Sequence, residues 1–160
     1  MQLINNSNKP DGPDRDPLHD AEACAIRLLA RREHSELEIE RKLTLRGYEP
    51  EITAQILAKL VKAGHLSNER YAEQYVRLRG EKGYGPQRIC IELSGRGLSD
   101  SQIEQAMLED QTDWYATAQR AYHKKYGYMP PEDYLERSKR MRFMQYRGFE
   151  SDHIQSVMEP

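Results

Sequence analysis

The chain has 160 residues, of which 38% are hydrophobic and 31% are charged, and its formal net charge is −2. So large a charged fraction argues against one thick core and favours small units that share a thin one. The near-neutral total excludes a protein that holds nucleic acid by overall charge alone. The charge is uneven, however, because residues 119–147 carry eight Lys/Arg against three acids, which suits contact with a polyanion.

Targeting and redox signals favour a cytoplasmic protein. The N-terminus lacks the pattern of a signal peptide, and no apolar run approaches membrane-spanning length. Cys24 and Cys90 each lie in an apolar helical stretch, so both are predicted to be buried free thiols in a reducing compartment. No contact with a membrane is expected.

Apolar residues recur at helical spacing along most of the chain. No segment of useful length alternates between apolar and polar residues, as a β-strand would. The predicted fold class is therefore all-α. A segment rich in Asn, Asp, Pro and Gly, with little to bury, is expected to form a disordered N-terminal tail before three three-helix repeats. The predicted divisions are residues 1–17, 18–66, 67–110 and 111–160.

In the first repeat, an apolar helical stripe begins at Leu18. Ser35 and Glu38 then form a candidate capping box for the second helix. Pro50 suits the first turn of the third helix, which Gly64 is expected to end.

The second repeat carries the same signals. Ser67 can cap its first helix, and Pro86 suits the first turn of its second helix. Ser99 and Gln102 form another candidate capping box, before the third helix.

The third repeat is predicted with fewer signals. Trp114 and Ala118 lie on the apolar stripe of its first helix. Pro130-Pro131 is expected to start the second helix, which continues to Gly148.

An Arg-Gly pair followed by a large apolar residue marks the end of each second helix. The three instances are Arg46-Gly47-Tyr48, Arg96-Gly97-Leu98 and Arg147-Gly148-Phe149, with glycines 50 and 51 residues apart. A glycine just past a helix adopts the left-handed conformation without a Cβ penalty, so these glycines are predicted to be C-caps. A period of this size indicates one supersecondary unit copied in tandem, which is typical of elongated binding proteins.

Catalytic and metal-binding patterns are missing from the sequence. The five histidines are scattered, and none pairs with a Cys, Asp or Glu at metal-ligand spacing. No glycine-rich loop follows a strand, so the usual phosphate cradle is not expected. The chain is predicted not to be an enzyme, with no metal site and no cofactor.

Basic residues interleaved with tyrosines form the candidate binding surface. Tyrosine can stack on an unpaired base, and guanidinium and ammonium groups contact phosphates. For any one residue, a surface ion pair or a core position is the competing interpretation. The candidate partner- and DNA-binding residues are Arg70, Arg77, Arg79, Lys82, Tyr84, Arg88, Arg96, Arg120, Lys124, Lys125, Lys139, Arg140, Arg142 and Arg147.

The stretch SNERYAEQYVRLRGEKGYGPQRICIEL, together with the three Arg-Gly units, resembles the RecX family of bacterial regulators of the RecA recombinase. The resemblance implies three tandem three-helix repeats in an elongated, curved array that needs no cofactor. It also implies a protein that lies in the groove of the RecA–single-stranded DNA filament. There it would inhibit filament extension, ATP hydrolysis, strand exchange and co-protease activity. The family supplies no catalytic motif, so the candidate residues above stand on charge and position alone.

Two other functions stay open at this stage. A stand-alone helical nucleic-acid-binding protein would bind DNA without a recombinase, and its affinity would fall steeply as the salt concentration rises. A net charge of −2 weighs against strong binding of this kind. A generic helical-repeat scaffold for peptides would be indifferent to DNA. For the regulator we expect a monomer whose contact with single-stranded DNA is weak by itself.

Overall fold

The computed structural model describes residues 16–159, and this range holds nine α-helices and no β-strand. The helices are α1 Pro17–Leu29, α2 Glu36–Leu45, α3 Pro50–Lys62, α4 Asn68–Glu81, α5 Pro86–Gly95, α6 Asp100–Glu109, α7 Trp114–Tyr126, α8 Tyr134–Arg147 and α9 Ser151–Met158. The predicted all-α class is confirmed. Of the predicted tail, residues 1–15 lie outside the described residues, while Asp16 caps α1 and Pro17 begins it.

The helices pack in consecutive groups of three, which we call units one, two and three. Each unit has its own cluster of buried apolar side chains. Units two and three are linked where Trp114, the first residue of α7, packs against the core of unit two and faces Gly80 of α4. Three separate cores in a row make an array of repeats, as predicted.

The second helix of each unit ends at the predicted glycine. Gly47, Gly97 and Gly148 have φ values of +83°, +85° and +91°, in the left-handed region. In unit two, the amide of Leu98 donates to the Leu93 carbonyl and that of Gly97 to the Ser94 carbonyl, which is a Schellman cap. The same pair of hydrogen bonds closes α2 and α8.

Each third helix begins three residues after its glycine, so the units share one register. The side chain six residues after the glycine is buried in every unit: Thr53, Ile103 and Ile154. In unit one, Ile52 is only half-buried and Thr53 takes the core position, so α3 keeps the same register as α6 and α9. The Oγ1 atom of Thr53 is buried and has no hydrogen-bond partner among the described residues.

Two expectations from the sequence need correction. Helix α8 begins at Tyr134 rather than at Pro130-Pro131, because the Asp133 carboxylate caps it by accepting from the Glu136 amide. A proline also disfavours helical backbone at the residue before it, so the pair stays in the loop. Cys24 is buried as predicted, but Cys90 is only half-buried; both are free thiols.

Joint one, between units one and two, brings the Arg96-Gly97 end of α5 against the N-terminus of α2. The Ser35 hydroxyl donates to the Arg96 carbonyl at 2.8 Å. Gly97 lies so near Leu37 that a Cβ on the glycine would approach the Leu37 Cβ to 2.7 Å. Side chains therefore supply the specific contacts of this joint.

Joint two, between units two and three, repeats that arrangement with the Arg147-Gly148 end of α8 against the N-terminus of α5. Here the Gly85 amide donates to the Arg147 carbonyl at 2.8 Å, and the Gln87 amide donates to the Gly148 carbonyl at 3.0 Å. The free amides of one helix start thus satisfy the free carbonyls of one helix end. A Cβ on Gly85 would overlap the Gly148 carbonyl, and a Cβ on Gly148 would overlap Arg88.

The Arg-Gly pair of unit one has no such neighbour in the described part of the chain. A Cβ on Gly47 would meet nothing within 4 Å, and Leu45 at the end of α2 is 86% exposed. The Arg-Gly pair is thus a cap in all three units and a joint in two of them.

Candidate functional site

The structure divides the predicted basic residues by their electrostatic partners. Five of them pair with a glutamate: Arg70, Arg79, Arg88, Arg96 and Arg140. Eight have no carboxylate partner among residues 16–159: Arg77, Lys82, Arg120, Lys124, Lys125, Lys139, Arg142 and Arg147. Only the second group has cationic charge that is free to meet an anionic partner.

Glu92 lies at the centre of a cluster of hydrogen-bond donors in unit two. Its carboxylate accepts from Arg79 at 2.6 and 2.8 Å, from Arg88 at 3.0 Å and from the Tyr75 hydroxyl at 2.7 Å. Burial raises the pKa of Glu92, but the hydrogen bonds from these three groups outweigh it and lower that pKa to about 2. One half-buried carboxylate therefore neutralises part of the charge that the sequence suggested was free.

Tyr84 is surrounded by guanidinium groups. The Cζ atoms of Arg79, Arg147 and Arg88 lie 3.6, 4.6 and 4.9 Å from the centre of its ring. Cation–π contacts of this kind favour a fixed geometry. Because Arg79 already covers the ring of Tyr84, this tyrosine holds the loop together rather than presenting a free stacking surface.

Arg96 and Arg70 link units one and two. Arg96 donates to Glu38 at 2.8 Å and Arg70 donates to Glu33 at 3.0 Å. Although burial opposes the change, the hydrogen bond and charge of Arg32 lower the pKa of Glu38, and Arg96 adds to the effect. These two arginines belong to joint one.

Arg140 is an interior residue, with only 4% of its surface exposed. Its guanidinium donates to the Tyr122 hydroxyl at 2.9 Å, to the Met129 carbonyl at 2.8 Å and to Glu136. A buried guanidinium with this many partners holds the loop before α8 against α7. The sequence grouped Arg140 with its surface neighbours because an isolated arginine carries no local sign of burial.

Unpaired cations converge in a groove where units two and three meet, which we call the cationic groove. Lys82 lies at the end of α4, Arg120, Lys124 and Lys125 lie on α7, and Arg147 ends α8. The groove has a volume of about 340 Å³, and Glu81 also lines it. With five cationic side chains and one acidic side chain, the lining of the groove is electropositive.

Local contacts hold the cations of the cationic groove in place. Arg147 donates to the Lys82 carbonyl at 3.3 Å, and its Cζ lies 5.2 Å from the centre of the Phe143 ring. Arg120 donates to Thr117 at 2.9 Å. Gly83, at φ +82°, lets the loop after α4 pass against Ala121, 3.4 Å from where a Cβ would lie.

Sequence reasoning missed the apolar floor that Phe143 and Ala121 provide in this groove. The glycines of the EKGYGP loop were the only signal that backbone passes close by there. Arg77, Lys139 and Arg142 are exposed but do not line this groove. They stay as predicted contacts outside it.

Three consecutive family models match the chain along its length. They describe the first, second and third three-helix domains of RecX, and they match residues 21–60, 67–107 and 111–158. The chain belongs to the RecX family.

Proteins named regulatory protein RecX are similar in sequence to this chain over most of its length and most of theirs. Regulatory protein RecX of Pseudomonas savastanoi pv. phaseolicola is 44% identical over 130 residues, covering 81% of this chain and 84% of the relative. The protein of the same name from Pseudomonas fluorescens (strain SBW25) is 41% identical over 143 residues, covering 89% and 92%. A crystal structure of RecX from Lactobacillus salivarius matches with a TM-score of 0.74 at 22% identity, over 90% of this chain and 96% of that one.

The described part of the chain contains neither a candidate metal cluster nor a membrane-spanning helix. No group of three or more His, Cys, Asp and Glu side chains there is arranged to hold a metal ion. Among its helices, none is both long enough and apolar enough to cross a bilayer. The curated relatives are named regulatory proteins.

Proposed function

We propose that this protein regulates the RecA recombinase by binding in the groove of its filament on single-stranded DNA. By occupying that groove, it blocks filament extension and lowers ATP hydrolysis, strand exchange and co-protease activity, without catalysing a reaction or using a cofactor. It acts in the cytoplasm as a monomer. Membership of the RecX family supports the choice of partner, and the array of units supports an extended contact.

The observation that carries the proposal is the cationic groove. Lys82, Lys124 and Lys125 have no carboxylate partner in the described chain, so an arriving phosphate need not displace one. Neutralising phosphates releases counterions, which provides most of the affinity for a polyanion. We assign contact with DNA to this groove. We assign contact with the recombinase to the surfaces of mixed charge around Arg77, Lys139 and Arg142.

The test is a titration of RecA ATP hydrolysis on single-stranded DNA. The parent protein is expected to lower turnover at substoichiometric amounts. The variant Lys82→Ala/Lys124→Ala/Lys125→Ala should require at least about tenfold more protein for the same inhibition, because three phosphate contacts are lost. No inhibition by the parent at equimolar protein, at low and moderate salt, would refute the proposal.

A matched control removes the same number of charges from unit one. Arg31, Arg41 and Lys62 are exposed and have no carboxylate partner among the described residues. Replacing these three by Ala should leave inhibition close to the parent's. Equal losses in both triple variants would mean that overall charge matters and the cationic groove does not.

The alternative is a stand-alone nucleic-acid-binding protein, which the same cationic groove also favours. Binding of labelled single-stranded DNA without RecA distinguishes the two. A regulator should bind weakly alone and inhibit RecA strongly. Tight binding with a steep salt dependence, and no effect on RecA, would favour the alternative.

A further inference from the structure

Unit two exposes an apolar groove between α5 and α6, on residues that the proposed function does not use. Cys90, Ile103 and Met107 form its floor, and Ile91 and Leu108 stand at its sides. The groove has a volume of about 570 Å³. Ile91 is 73% exposed and Leu108 is 79% exposed, so each leaves most of its apolar surface in water.

The other two units show that exposure of apolar groups here is not required by the fold. Ile91 lies six residues before the Arg-Gly glycine of its unit, and Leu108 lies eleven residues after it. The corresponding residues are Arg41 and Ala58 in unit one, and Arg142 and Glu159 in unit three. Unit three even has a matching groove, of about 240 Å³, in which Glu159 pairs with Arg137 at 3.9 Å. Only unit two presents two large aliphatic side chains on this face.

Acidic residues edge the apolar groove of unit two. Asp100 and Glu104 line it, and neither has a cationic partner in the chain from 16 to 159. The same register has Pro50 and Ala54 in unit one, and Ser151 and Gln155 in unit three. Burial raises the pKa of the Cys90 thiol, and the charge of Glu150 from unit three raises it further, so a third carboxylate is near.

We propose that this groove is a docking site for an amphipathic helix of another protein, whose apolar stripe is flanked by Lys or Arg. Two helices side by side present a groove into which the ridge of a third helix packs. The exposed Ile91 and Leu108 would bury their surface against the apolar stripe. Asp100 and Glu104 would meet the flanking cations, so charge complementarity selects a basic partner over an acidic one.

This surface is chemically the opposite of the cationic groove. The carboxylates at the apolar groove repel an anion, and the lysines of the cationic groove repel a basic helix. The two sites therefore take different partners. The docking site does not depend on the proposed effect on RecA.

The test uses two labelled 18-residue synthetic peptides with the same leucine stripe, one with lysines and one with glutamates on the polar face. Fluorescence anisotropy at low salt measures their binding to the full chain. We expect the lysine peptide to bind at least about tenfold more tightly than the glutamate peptide. Equal affinities, or no binding of either peptide, would overturn the proposal.

The decisive variant gives unit two the residues of unit three at these positions. The double variant Ile91→Arg/Leu108→Glu should bind the lysine peptide at least about tenfold more weakly. The fold should tolerate the change, because unit three has Arg and Glu at the corresponding positions. Leu45→Arg, at a leucine 86% exposed on α2, is the matched control and should bind like the parent. Unchanged binding to the double variant would contradict the site.

Two further measurements separate this site from nonspecific attraction and from self-association. Asp100→Ser with Glu104→Gln should abolish the preference for lysine over glutamate. The lysine peptide should also slow alkylation of Cys90, since that thiol lies in the groove. Sedimentation should show a monomer; a dimer that Ile91→Arg/Leu108→Glu dissociates would assign the face to a second copy and overturn the proposal.

Discussion

Both joints bring the end of one unit's second helix against the start of the preceding unit's second helix, but one joint is made by side chains and the other by the backbone. Joint one depends on side chains: the Ser35 hydroxyl and the Glu38 carboxylate receive the end of α5. Joint two depends on the backbone, because amides of Gly85 and Gln87 bond directly to carbonyls at the end of α8. Joint two needs a glycine on both helices, Gly85 and Gly148, whereas joint one needs Gly97 and particular polar side chains.

The difference has a consequence for where the candidate sites lie. The cationic groove spans joint two, where the backbones of units two and three are held together by hydrogen bonds. Joint one contains partly exposed ion pairs, Arg96–Glu38 and Arg70–Glu33, which salt screens more than it does backbone hydrogen bonds. A phosphate-binding surface shared by two units gains from a joint of fixed geometry, since the cations then need no reorganisation on binding.

The largest expected effect comes from closing the space in joint two. Gly85 has φ −89° and ψ 169°, which alanine adopts freely, so Gly85→Ala adds only a methyl group. That methyl group would overlap the Gly148 carbonyl, and the free energy of unfolding should fall by about 3 kcal/mol. Urea denaturation measures the change.

Gly95→Ala is the control for that substitution. Gly95 is helical and a Cβ there would meet nothing within 4 Å, so alanine should stabilise the protein by about 0.5–1 kcal/mol. A loss of stability in Gly95→Ala as large as in Gly85→Ala would show that the effect is not specific to joint two.

The next effect concerns the acid that holds Arg88, a residue of joint two. The pKa of Glu92 is about 2, below its ordinary value of 4.5, so the ionised carboxylate stabilises the fold. That stabilisation is complete above pH 4.5 and is lost as the pH falls towards 2. Glu92→Gln should cost about 2 kcal/mol at pH 7 and flatten the decline in stability between pH 5 and 3. Urea denaturation at a series of pH values checks this.

Glu73→Gln is the matched control, because Glu73 is exposed on α4 and forms no ion pair with the described residues. Its stability should follow that of the parent at every pH. If Glu92→Gln declined with acid as steeply as the parent, Glu92 would not be the group responsible.

The smallest effect isolates the contribution of Ser35 to joint one. Ser35 and Ser99 each form a complete capping box, but only the Ser35 hydroxyl also donates across a joint, to the Arg96 carbonyl. Ser99→Ala should cost about 1 kcal/mol as a lost cap, and Ser35→Ala should cost about 1 kcal/mol more. Thermal or urea unfolding of both variants gives the difference. Equal costs would mean that the hydrogen bond across joint one contributes no stability.

Local chemistry explains why much of the fold could be predicted from the sequence. The capping boxes at Ser35 and Ser99 and the left-handed glycines involve residues at most five apart, so short stretches of sequence specify them. The tandem period then predicted three helical units. The start of α8 was wrong because Asp133 caps that helix more effectively than a preceding proline pair begins it.

The candidate site was harder to predict because its electrostatics depend on contacts between distant residues. Arg96 meets Glu38 across 58 positions, and Arg88 meets the Tyr146 carbonyl across another 58. Basic residues could be counted from the sequence, but which of them are neutralised follows only from the folded arrangement. The burial of Arg140 against Tyr122 belongs to the same class.

The Arg46-Gly47 end of α2 packs against no other unit within residues 16–159, so the array has a direction. Unit two presents its Arg-Gly end to unit one, and unit three presents its Arg-Gly end to unit two, so each joint pairs the end of a second helix with the start of the second helix before it. Among the described residues, a Cβ on Gly47 would meet nothing within 4 Å, and Tyr134 and Leu135 at the start of α8 are 79% and 76% exposed. The two ends of the described array therefore differ in polarity, because the first unit leaves a helix C-terminus uncovered and the third leaves a helix N-terminus uncovered.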